Sequence, residues 1–560
     1  MILTPTSRID HYVREGWWGK RRIHDWVQDN LHDRADQVAL VDPPNRSGIV
    51  GGTPRRMTWR ELSAEVDRLS DCLLANGLQR DDIALVQLPN CVELPLVYLA
   101  CMQVGIIFTP VPVQYRENEL RHIAALTSPR AAITAGIIHR HDHKAMLTAL
   151  ASCQPEPMRV LTLDELASHR PVELSSLTHA RQAQVPLADD VVSICWTSGT
   201  EAQPKGVPRS HNEWIGFAET IVISGRLDRG AALLNSFPLV NMAGIAGQFL
   251  PWLMVGGKLV LHHPLDVDLV LRQIVEEDIA YTVASPATLA RMAADPHTMS
   301  RIAQSKLRAL GSASGALPEW VAEAFEVERN IRIVNYYGTN EGCSLTSCSD
   351  DIPDVLVRTK HFPRFGVRGL TWSLPVARRI ETRLVDPTSG AIIDTPGQAG
   401  ELRARGPSIF SGYYKAPGMT ARAFDEDGFY RSGDLFEIAG DRGQYYRFVG
   451  RLKDIIVRGG FNISSEELES LLSEHQKIAE VAVVGYPDAI LGERVCAVVV
   501  PKPGASVALE ELAGFLVEEK RIARFKAPER LLVVSALPRN PVGKVIKREL
   551  RAELMAPEAS

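Results

Sequence analysis

Two spacings of apolar residues alternate along roughly the first 370 positions. Residues 58–74 carry apolar side chains at helical spacing, and Thr58 followed by Glu61 is the capping-box pattern of a helix start. Residues 82–88 and 106–111 are short apolar runs rich in β-branched side chains, and a helical stretch separates them. This alternation predicts a parallel sheet flanked by helices.

The pattern changes after about residue 370. Before that point, further apolar runs typical of buried strands occur at 191–195, 258–262, 307–310 and 332–335. After it, short segments such as 379–385 and 400–405 are separated by Gly and Pro, which predicts antiparallel strands in a small barrel or sandwich. From residue 454 onward, about 105 residues carry their own strands and helices, enough for a separate α+β domain.

Composition excludes several classes of protein. The chain has 560 residues, of which 45% are hydrophobic and 23% charged, so it is neither disordered nor a single small module. Lys and Arg number 62 against 67 Asp and Glu, and this net charge of −5 gives no electrostatic footprint for nucleic acid or an anionic membrane. The eight cysteines are scattered, and neither a signal-like N-terminus nor a long apolar stretch is present. We therefore expect a cytoplasmic protein without a membrane span or a nucleic-acid partner.

The strongest chemical signal follows the apolar run 191–195. Residues 196–207 place hydroxyl side chains, a glycine and Lys205 on a loop that leaves a strand. Such loops bind polyphosphates through backbone N–H groups, hydroxyls and a positive charge, and ATP is the natural candidate. The GxxxxGK[ST] spacing of a Walker A loop is absent. Taken alone, the segment fits an ordinary turn with an exposed lysine equally well.

Four later segments add to this signal. Residues 335–342 follow another strand and supply an aromatic face for a base, a glycine for close backbone approach and a carboxylate for a metal ion. Residues 430–434 end in a carboxylate that could accept both hydroxyls of a ribose. The other two segments, 450–463 and 537–547, lie at the predicted domain junction and near the C-terminus.

These five segments, in this order, resemble the core motifs of the adenylate-forming superfamily of acyl- and aryl-CoA synthetases, peptide-synthetase adenylation domains and firefly luciferase. The resemblance spans nearly the whole chain, and residues 12–18 and 210–214 look most like stand-alone aryl-acid ligases and their CoA-ligase relatives. It implies an α/β fold whose large N-terminal domain, residues 1–452, combines parallel-sheet α/β subdomains with a small β-barrel. A smaller, mobile α+β C-terminal domain, residues 453–560, would follow.

The resemblance also implies a role for each matching residue. Lys544 would bridge the carboxylate and the phosphate in the first step, and Lys453 would be the hinge of the C-terminal domain. Asp434, assisted by Arg451, would hold the ribose, and Asn335 the exocyclic amine of adenine. The remaining implied contacts are Thr197, Ser198, Gly199, Thr200 and Lys205 in the phosphate loop, Tyr337 and Gly338 at adenine, Thr339 near the α-phosphate, and Glu341 and Thr200 for Mg²⁺.

The acyl pocket is expected in residues 237–244 and 311–316. The candidate pocket residues are Asn241, Met242, Gly244, Ser312 and Ala313. Most are small or apolar, which favours a hydrophobic acid over an amino acid. The chain departs from the family pattern at Glu201-Ala202 in the phosphate loop and at Asn340, where the family mostly has Thr.

The implied reaction has two steps, in which a carboxylate attacks ATP to give an acyl-adenylate and pyrophosphate, and a thiol then takes the acyl group. The first hypothesis is a carboxylic acid–CoA ligase, using ATP, Mg²⁺ and CoA, for an aromatic, alicyclic or medium-chain acid. The alternative is an aryl-acid AMP ligase that loads a separate carrier protein, since few residues follow Lys544. A nucleotide-binding regulatory protein without turnover stays open as well. We expect a monomer or a homodimer.

Overall fold

The computed structural model describes residues 1–168, 185–197, 204–458, 461–488, 490–540 and 543–555. The chain divides into two compact units. The first comprises Met1–Thr382 and Ala404–Tyr430, and the second comprises Arg383–Arg403 and Arg431–Ser560. Among the helices of the described segments, none is both long and apolar enough to cross a lipid bilayer.

In chain order the strands are β1 Val38–Val41, β2 Arg56–Thr58, β3 Ile83–Gln87, β4 Ile107–Pro110, β5 Ala131–Thr134, β6 Ile137–Ile138, β7 His141–Asp142, β8 Arg159–Thr162, β9 Val191–Thr197, β10 Lys205–Ser210, β11 Ala232–Asn235, β12 Lys258–Leu261, β13 Tyr281–Ala284, β14 Ala309–Ala313, β15 Arg332–Gly338, β16 Ser344–Ser347, β17 His361–Pro363, β18 Glu381–Val385, β19 Ile392–Ile393, β20 Ala399–Arg405, β21 Tyr430–Ala439, β22 Tyr445–Arg451, β23 Ile455–Arg458, β24 Phe461–Ser464, β25 Ile478–Asp488, β26 Gly492–Pro501 and β27 Arg530–Val533.

The α-helices are Thr6–Arg14, Asp25–Arg34, Trp59–Ala75, Glu93–Val104, Glu117–Thr127, His143–Ser152, Leu163–Ser168, His211–Ser224, Met242–Gly244, Leu250–Val255, Val267–Glu276, Pro286–Ala293, Pro296–Ala303, Glu319–Ala322, Val355–Lys360, Pro417–Ala423, Ser465–Leu472, Leu509–Gly514 and Lys547–Met555.

The first unit contains two mostly parallel sheets. The eight-stranded sheet has the order β16-β15-β14-β13-β11-β12-β1-β2, with parallel pairing from β15 to β1 and antiparallel strands at both edges. The six-stranded sheet has the order β10-β9-β4-β3-β5-β8 and is parallel except for β10. Helices cover both faces of such sheets, so their strands are apolar throughout, and every residue of β3, β4 and β5 is buried. The predicted parallel α/β architecture is confirmed.

The helix predicted after Thr58 forms at Trp59–Ala75 with its capping box in place. The Thr58 hydroxyl accepts a hydrogen bond from the Glu61 N–H at 3.2 Å, and the Glu61 carboxylate accepts one from the Thr58 N–H at 2.8 Å. Buried side chains of the helix, Leu62 and Val66 among them, recur every three or four positions. The same spacing predicted the helix from the sequence.

The second unit contains the antiparallel strands predicted for the later part of the chain. β22, β21, β20, β18 and β19 are successive neighbours in one sheet, and no described pairing closes them into a barrel. β24, β23, β26 and β25 form another sheet, in which β27 joins β26 in parallel. Its apolar side chains form a core with helices Ser465–Leu472 and Leu509–Gly514. These strands and helices form the separate α+β domain that the sequence predicts from residue 454 onward.

The two compact units divide the chain at places other than residue 453. β22 groups with the C-terminal strands, and Lys453 lies inside the second unit, in a short 3₁₀ turn at Leu452–Asp454. Residue 453 is the expected hinge, about which the C-terminal domain would rotate. The division into compact units instead follows which residues contact one another. It therefore stays a prediction.

Candidate active site

The phosphate-loop motif begins in a β-hairpin. β9 and β10 pair antiparallel, with Thr197 opposite Lys205 next to the loop. The Trp196 indole N–H donates to the Thr109 hydroxyl of β4 at 2.7 Å, which anchors β9 to the interior of the sheet. The loop residues Ser198, Gly199, Thr200, Glu201 and Ala202 lie outside the described residues. The structure thus fixes both ends of the loop, because Thr197 ends β9 and Lys205 begins β10.

A tight turn after β15 presents Glu341. The Thr339 N–H donates to the Cys343 carbonyl at 2.9 Å, and the Gly342 N–H donates to the Thr339 carbonyl at 3.1 Å. Gly342 has a φ of +107°, and a Cβ built on it would lie 1.9 Å from the Ser408 carbonyl oxygen. Only glycine fits there without displacing the neighbouring backbone. The turn therefore fixes the position from which the Glu341 side chain extends.

Glu341 and Lys205, both predicted to act on phosphate, meet around Tyr413. The buried Glu341 carboxylate accepts a hydrogen bond from the Tyr413 hydroxyl at 2.8 Å. The Lys205 ammonium nitrogen lies 5.3 Å from the centre of the Tyr413 ring, a cation–π distance. A carboxylate oxygen is a ligand that Mg²⁺ prefers, so Glu341 fits the predicted metal role. The other predicted ligand, Thr200, lies outside the described residues.

Arg209 supports this turn from inside the protein. Its side chain is fully buried, and its guanidinium donates to the carbonyl oxygens of Asn340 and Ser408, the first at 3.1 Å from Nε. A buried cation is tolerated only when its donors are satisfied, and here two backbone carbonyls do so. The sequence analysis assigned Arg209 no role. A charged side chain within the otherwise uncharged stretch Gly206–Ser210 was the signal that could have identified it.

Asn340 connects the phosphate motifs to the predicted acyl pocket. Its side-chain oxygen accepts a hydrogen bond from the Met242 N–H at 3.1 Å, and its side-chain nitrogen lies 3.5 Å from the Trp196 carbonyl oxygen. An amide side chain can accept and donate at the same time, as this link requires. One residue therefore contacts both the pocket segment and the strand that leads into the phosphate loop.

The pocket segment is itself a tight turn. The Asn241 side-chain oxygen accepts from the Gly244 N–H at 3.3 Å and caps the short helix Met242–Gly244. A Cβ on Gly244 would lie 2.2 Å from the Pro238 carbonyl oxygen, so only glycine packs there. Asn241 and Gly244 thus shape the backbone, whereas Met242 offers apolar surface against the main hydrophobic core.

Ser312 and Ala313 lie on opposite faces of β14, because side chains alternate along a strand. Ala313 is half-buried and, like Met242 and Tyr336, packs against the main core. Ser312 is fully buried, and its hydroxyl has no hydrogen-bond partner among the described residues. Ala313 and Met242 both pack against the main core, whereas Ser312 lies on the other face of β14 from Ala313.

Three hydroxyl groups meet at Tyr336, which packs against the main core. The Tyr336 hydroxyl lies 3.0 Å from the Ser224 hydroxyl and 3.1 Å from the Tyr281 hydroxyl. A Cβ on Gly311 would lie 2.7 Å from Cε2 of the Tyr336 ring, so the ring fills the space beside this glycine. Burial raises the pKa of Tyr336, which keeps the phenol protonated. The sequence analysis did not find this group, because its three members lie far apart in the chain.

The predicted adenine residues share β15. The side-chain nitrogen of Asn335 donates to the carbonyl oxygens of Arg358 and Thr359 at 3.0 and 3.1 Å, which fixes the orientation of the amide. Tyr337 is half-buried two positions later and so lies on the same face of the strand, and Gly338 is exposed. An oriented amide and an aromatic ring are thus neighbours on one strand.

In the second unit, four predicted residues come together. Asp434 is buried, lies opposite Arg451 in the β21–β22 pairing, and forms an ion pair with it at 3.4 Å. Lys544 is exposed as a residue, but desolvation of its ammonium group and the positive charge of Arg451 lower its pKa to about 8, and Asp434 opposes this shift. Burial also lowers the pKa of Lys453. Lys544 therefore carries its charge at neutral pH and lies within electrostatic reach of the other three.

The sequence matches two family models. Residues 27–414 match the AMP-binding enzyme family, and residues 467–544 match the AMP-binding enzyme C-terminal domain. The chain belongs to the AMP-binding enzyme family. The first match contains Lys205, Glu341 and the pocket segment, and the second ends at Lys544.

Relatives of this AMP-binding enzyme are similar over nearly their whole length. It is 30% identical to the medium-chain fatty-acid–CoA ligase of Escherichia coli (strain K12), over 97% of this chain and 92% of the relative. It is 31% identical to a salicylyl-CoA synthase / salicylate adenylyltransferase of a Streptomyces species, over 98% and 96%. Among solved structures, ATP-bound MatB from Rhodopseudomonas palustris has a TM-score of 0.77 at 25% identity, over 96% and 99%. The predicted superfamily and the predicted class, an AMP-forming acid–thiol ligase, are confirmed.

Proposed function

We propose that this AMP-binding enzyme is an ATP-dependent carboxylic acid–CoA ligase for a hydrophobic acid, aromatic, alicyclic or medium-chain. The observation that carries the proposal is the Asn340 side chain, which contacts both the pocket segment at Met242 and the phosphate-loop strand at Trp196. A ligase must bring a carboxylate to a nucleotide phosphate, and positioning of this kind supplies a large part of the rate.

In the first step, an oxygen of the acid's carboxylate attacks the α-phosphorus of ATP. The bond to the bridging oxygen breaks, and its electron pair leaves with pyrophosphate. Negative charge grows on the phosphates, so Lys205 and Lys544 would stabilise it by fixed positive charge. Glu341, with Thr200, would hold Mg²⁺, which adds charge stabilisation when bound.

The adenosine contacts follow from the same motifs. The side-chain oxygen of Asn335 would accept a hydrogen bond from the exocyclic amine of adenine, and Tyr337 would stack on the adenine ring. Gly338 would lie close to adenine and Thr339 close to the α-phosphate. The Asp434–Arg451 pair would take the ribose hydroxyls. The fixed amide of Asn335 supports this role, because both of its known hydrogen bonds come from the nitrogen and orient the oxygen.

In the second step, the sulfur of the thiol attacks the acyl carbon and AMP leaves. CoA is the proposed acceptor, in line with the CoA ligases named among the relatives. The alternative is an aryl-acid AMP ligase that loads the phosphopantetheine thiol of a carrier protein, and the salicylate adenylyltransferase relative favours it. Lys453 is the proposed hinge between the two steps. Lys453→Pro should then block turnover without unfolding the protein, because proline restricts the backbone rotation a hinge needs.

Acid-dependent exchange of labelled pyrophosphate into ATP, over a panel of aromatic, alicyclic and medium-chain acids, tests the proposal. Exchange with at least one hydrophobic acid, followed by thioester formation with free CoA, is the expected result. Exchange without transfer to CoA would favour the carrier-protein alternative. No exchange with any acid would refute the proposal and favour a regulatory nucleotide-binding protein.

A further inference from the structure

The side chain of Asn90 contacts three backbone groups in two distant segments of the chain. The residue is buried and follows β3, in the connection to helix Glu93–Val104. Its side-chain nitrogen donates to the carbonyl oxygens of Phe237 at 2.8 Å and His262 at 3.1 Å. Its side-chain oxygen accepts from the Leu239 N–H at 3.1 Å. The nitrogen faces two carbonyl oxygens and the oxygen faces an N–H, so the orientation of the amide is fixed.

A second side chain from the same part of the chain holds Leu239. The hydroxyl of Tyr98, on helix Glu93–Val104, donates to the Leu239 carbonyl at 2.7 Å. Tyr98 and Leu239 are both fully buried. The N–H and the carbonyl of Leu239 are therefore both bound by side chains from residues 90–98. Leaving buried backbone groups unpaired is costly, so these hydrogen bonds fix the backbone at Leu239.

The backbone held in this way belongs to residues 237–244, where the acyl pocket is expected. The Pro238 carbonyl oxygen lies 2.2 Å from a Cβ built on Gly244, so the beginning and the end of this segment are in close contact. Between them, the Met242 N–H donates to the side-chain oxygen of Asn340 at 3.1 Å. A shift at Leu239 would therefore move the turn that presents Met242.

We propose that Asn90, together with Tyr98, is a positioning residue that fixes the pocket segment 237–244 and thereby sets the affinity for the acid. The inference rests on the proposed function, in which this segment borders the acid. The described hydrogen bonds of both side chains go to Phe237, Leu239 and His262. None of these three is a predicted nucleotide contact, so the effect should fall on the acid rather than on ATP.

The expected signature is a difference between two Michaelis constants. Asn90→Ala should raise KM for the acid about tenfold and change KM for ATP less than about twofold. Tyr98→Phe keeps the ring and removes a single hydrogen bond, so it should give the same pattern with a rise of about threefold. The control is Asn30→Ala, which removes a buried asparagine whose nitrogen donates to the Leu253 carbonyl, outside the pocket segment, at 2.8 Å. It should leave both KM values unchanged.

Hydrogen–deuterium exchange, read by mass spectrometry, measures the hold on the segment without activity. Peptides covering residues 237–244 are followed in the parent and in the three variants. We expect faster exchange of these peptides in Asn90→Ala and Tyr98→Phe, because the backbone at Leu239 opens more often when its partners are removed. Asn30→Ala should exchange like the parent in this segment. Tyr98→Phe keeps the test decisive if Asn90→Ala does not fold.

Exchange like that of the parent at residues 237–244 in both Asn90→Ala and Tyr98→Phe would overturn the inference, as would an equal increase in Asn30→Ala. Faster exchange with equal rises in KM for the acid and for ATP, or with neither KM changed, would overturn the positioning role. Faster exchange in the variants, with no pyrophosphate exchange by the parent for any acid, would support the hold on the segment and refute the proposed function.

Discussion

The turn around Glu341 in the first unit and the charged group of Asp434, Arg451 and Lys544 in the second unit hold their charged side chains differently. In the turn, buried Arg209 donates to backbone carbonyls, and the Glu341 carboxylate accepts from a tyrosine hydroxyl. In the second unit, ionised side chains face one another, and the pKa of Lys544 falls to about 8. Hydrogen bonds to neutral groups fix geometry at any ordinary pH, whereas facing charges make the site sensitive to protons.

The largest effect is expected for Arg209→Met, which removes the support of the turn. Each buried carbonyl oxygen left without a donor costs about 1–3 kcal/mol, so the free energy of unfolding should fall by about 4 kcal/mol. Urea unfolding followed by tryptophan fluorescence measures this. Arg405→Met, which removes a half-exposed pair with Glu381, is the control and should cost at most about 1 kcal/mol. Similar losses in both variants would show that the hydrogen bonds do not hold the turn.

The next largest effect is expected for Lys544→Ala, which removes charge without removing structure. Acid-dependent pyrophosphate exchange should fall by about 100-fold to 1000-fold, while the unfolding transition stays within about 0.5 kcal/mol of the parent. Lys502→Ala, an exposed lysine in the same unit, should leave both unchanged. A large loss of stability in Lys544→Ala would show that this lysine also stabilises the fold, as Arg209 is expected to do in the first unit.

Gly342→Ala tests the geometry of the turn directly. The added Cβ would meet the Ser408 carbonyl at 1.9 Å in a backbone conformation unfavourable for alanine, so unfolding should become about 2 kcal/mol easier. Gly136→Ala, where a Cβ meets nothing within 4 Å, is the matched control in differential scanning calorimetry. An unchanged melting temperature for Gly342→Ala would contradict a fixed turn.

The pH dependence of kcat/KM is expected to reflect the charged group in the second unit rather than the turn around Glu341. Lys544 must be protonated to stabilise the phosphates, and its pKa of about 8 lies below that of an ordinary lysine. kcat/KM for ATP should therefore be constant below about pH 7, halve by about pH 8 and fall about tenfold by pH 9. Steady-state kinetics in a series of buffers of constant ionic strength measure this fall in kcat/KM. A fall in kcat/KM that begins only above pH 10 would rule out Lys544 as the titrating group.

The smallest effect is expected for Tyr413→Phe, which removes one hydrogen bond to Glu341. The loss is about 1 kcal/mol, or about fivefold in kcat/KM, and it should raise the Mg²⁺ concentration needed for half-maximal rate. A Mg²⁺ titration of pyrophosphate exchange checks this, with Tyr414→Phe at the adjacent position as control. The same Mg²⁺ dependence in both variants would exclude the hydroxyl from holding the carboxylate.

Local patterns predicted several of the elements, whereas the site positions came from the resemblance to the family and stay predictions. The helix after Thr58 formed with its capping box, and the strands before the phosphate loop and before Glu341 formed where apolar runs predicted them. The contacts of Arg209 and the Tyr336 hydroxyl group were not predictable in the same way. They join residues more than 50 positions apart, and no spacing rule connects such residues.

By itself, the sequence determined the class of chemistry, because five motifs in order resemble those of the adenylate-forming superfamily, and such a resemblance does not depend on the surrounding packing. Only the tertiary structure decided how the residues are held. Arg209 and Asn340 became central because folding placed them beside distant backbone groups. A buried charge is tolerated only where its surroundings satisfy it, and the fold rather than the sequence decides what surrounds each side chain.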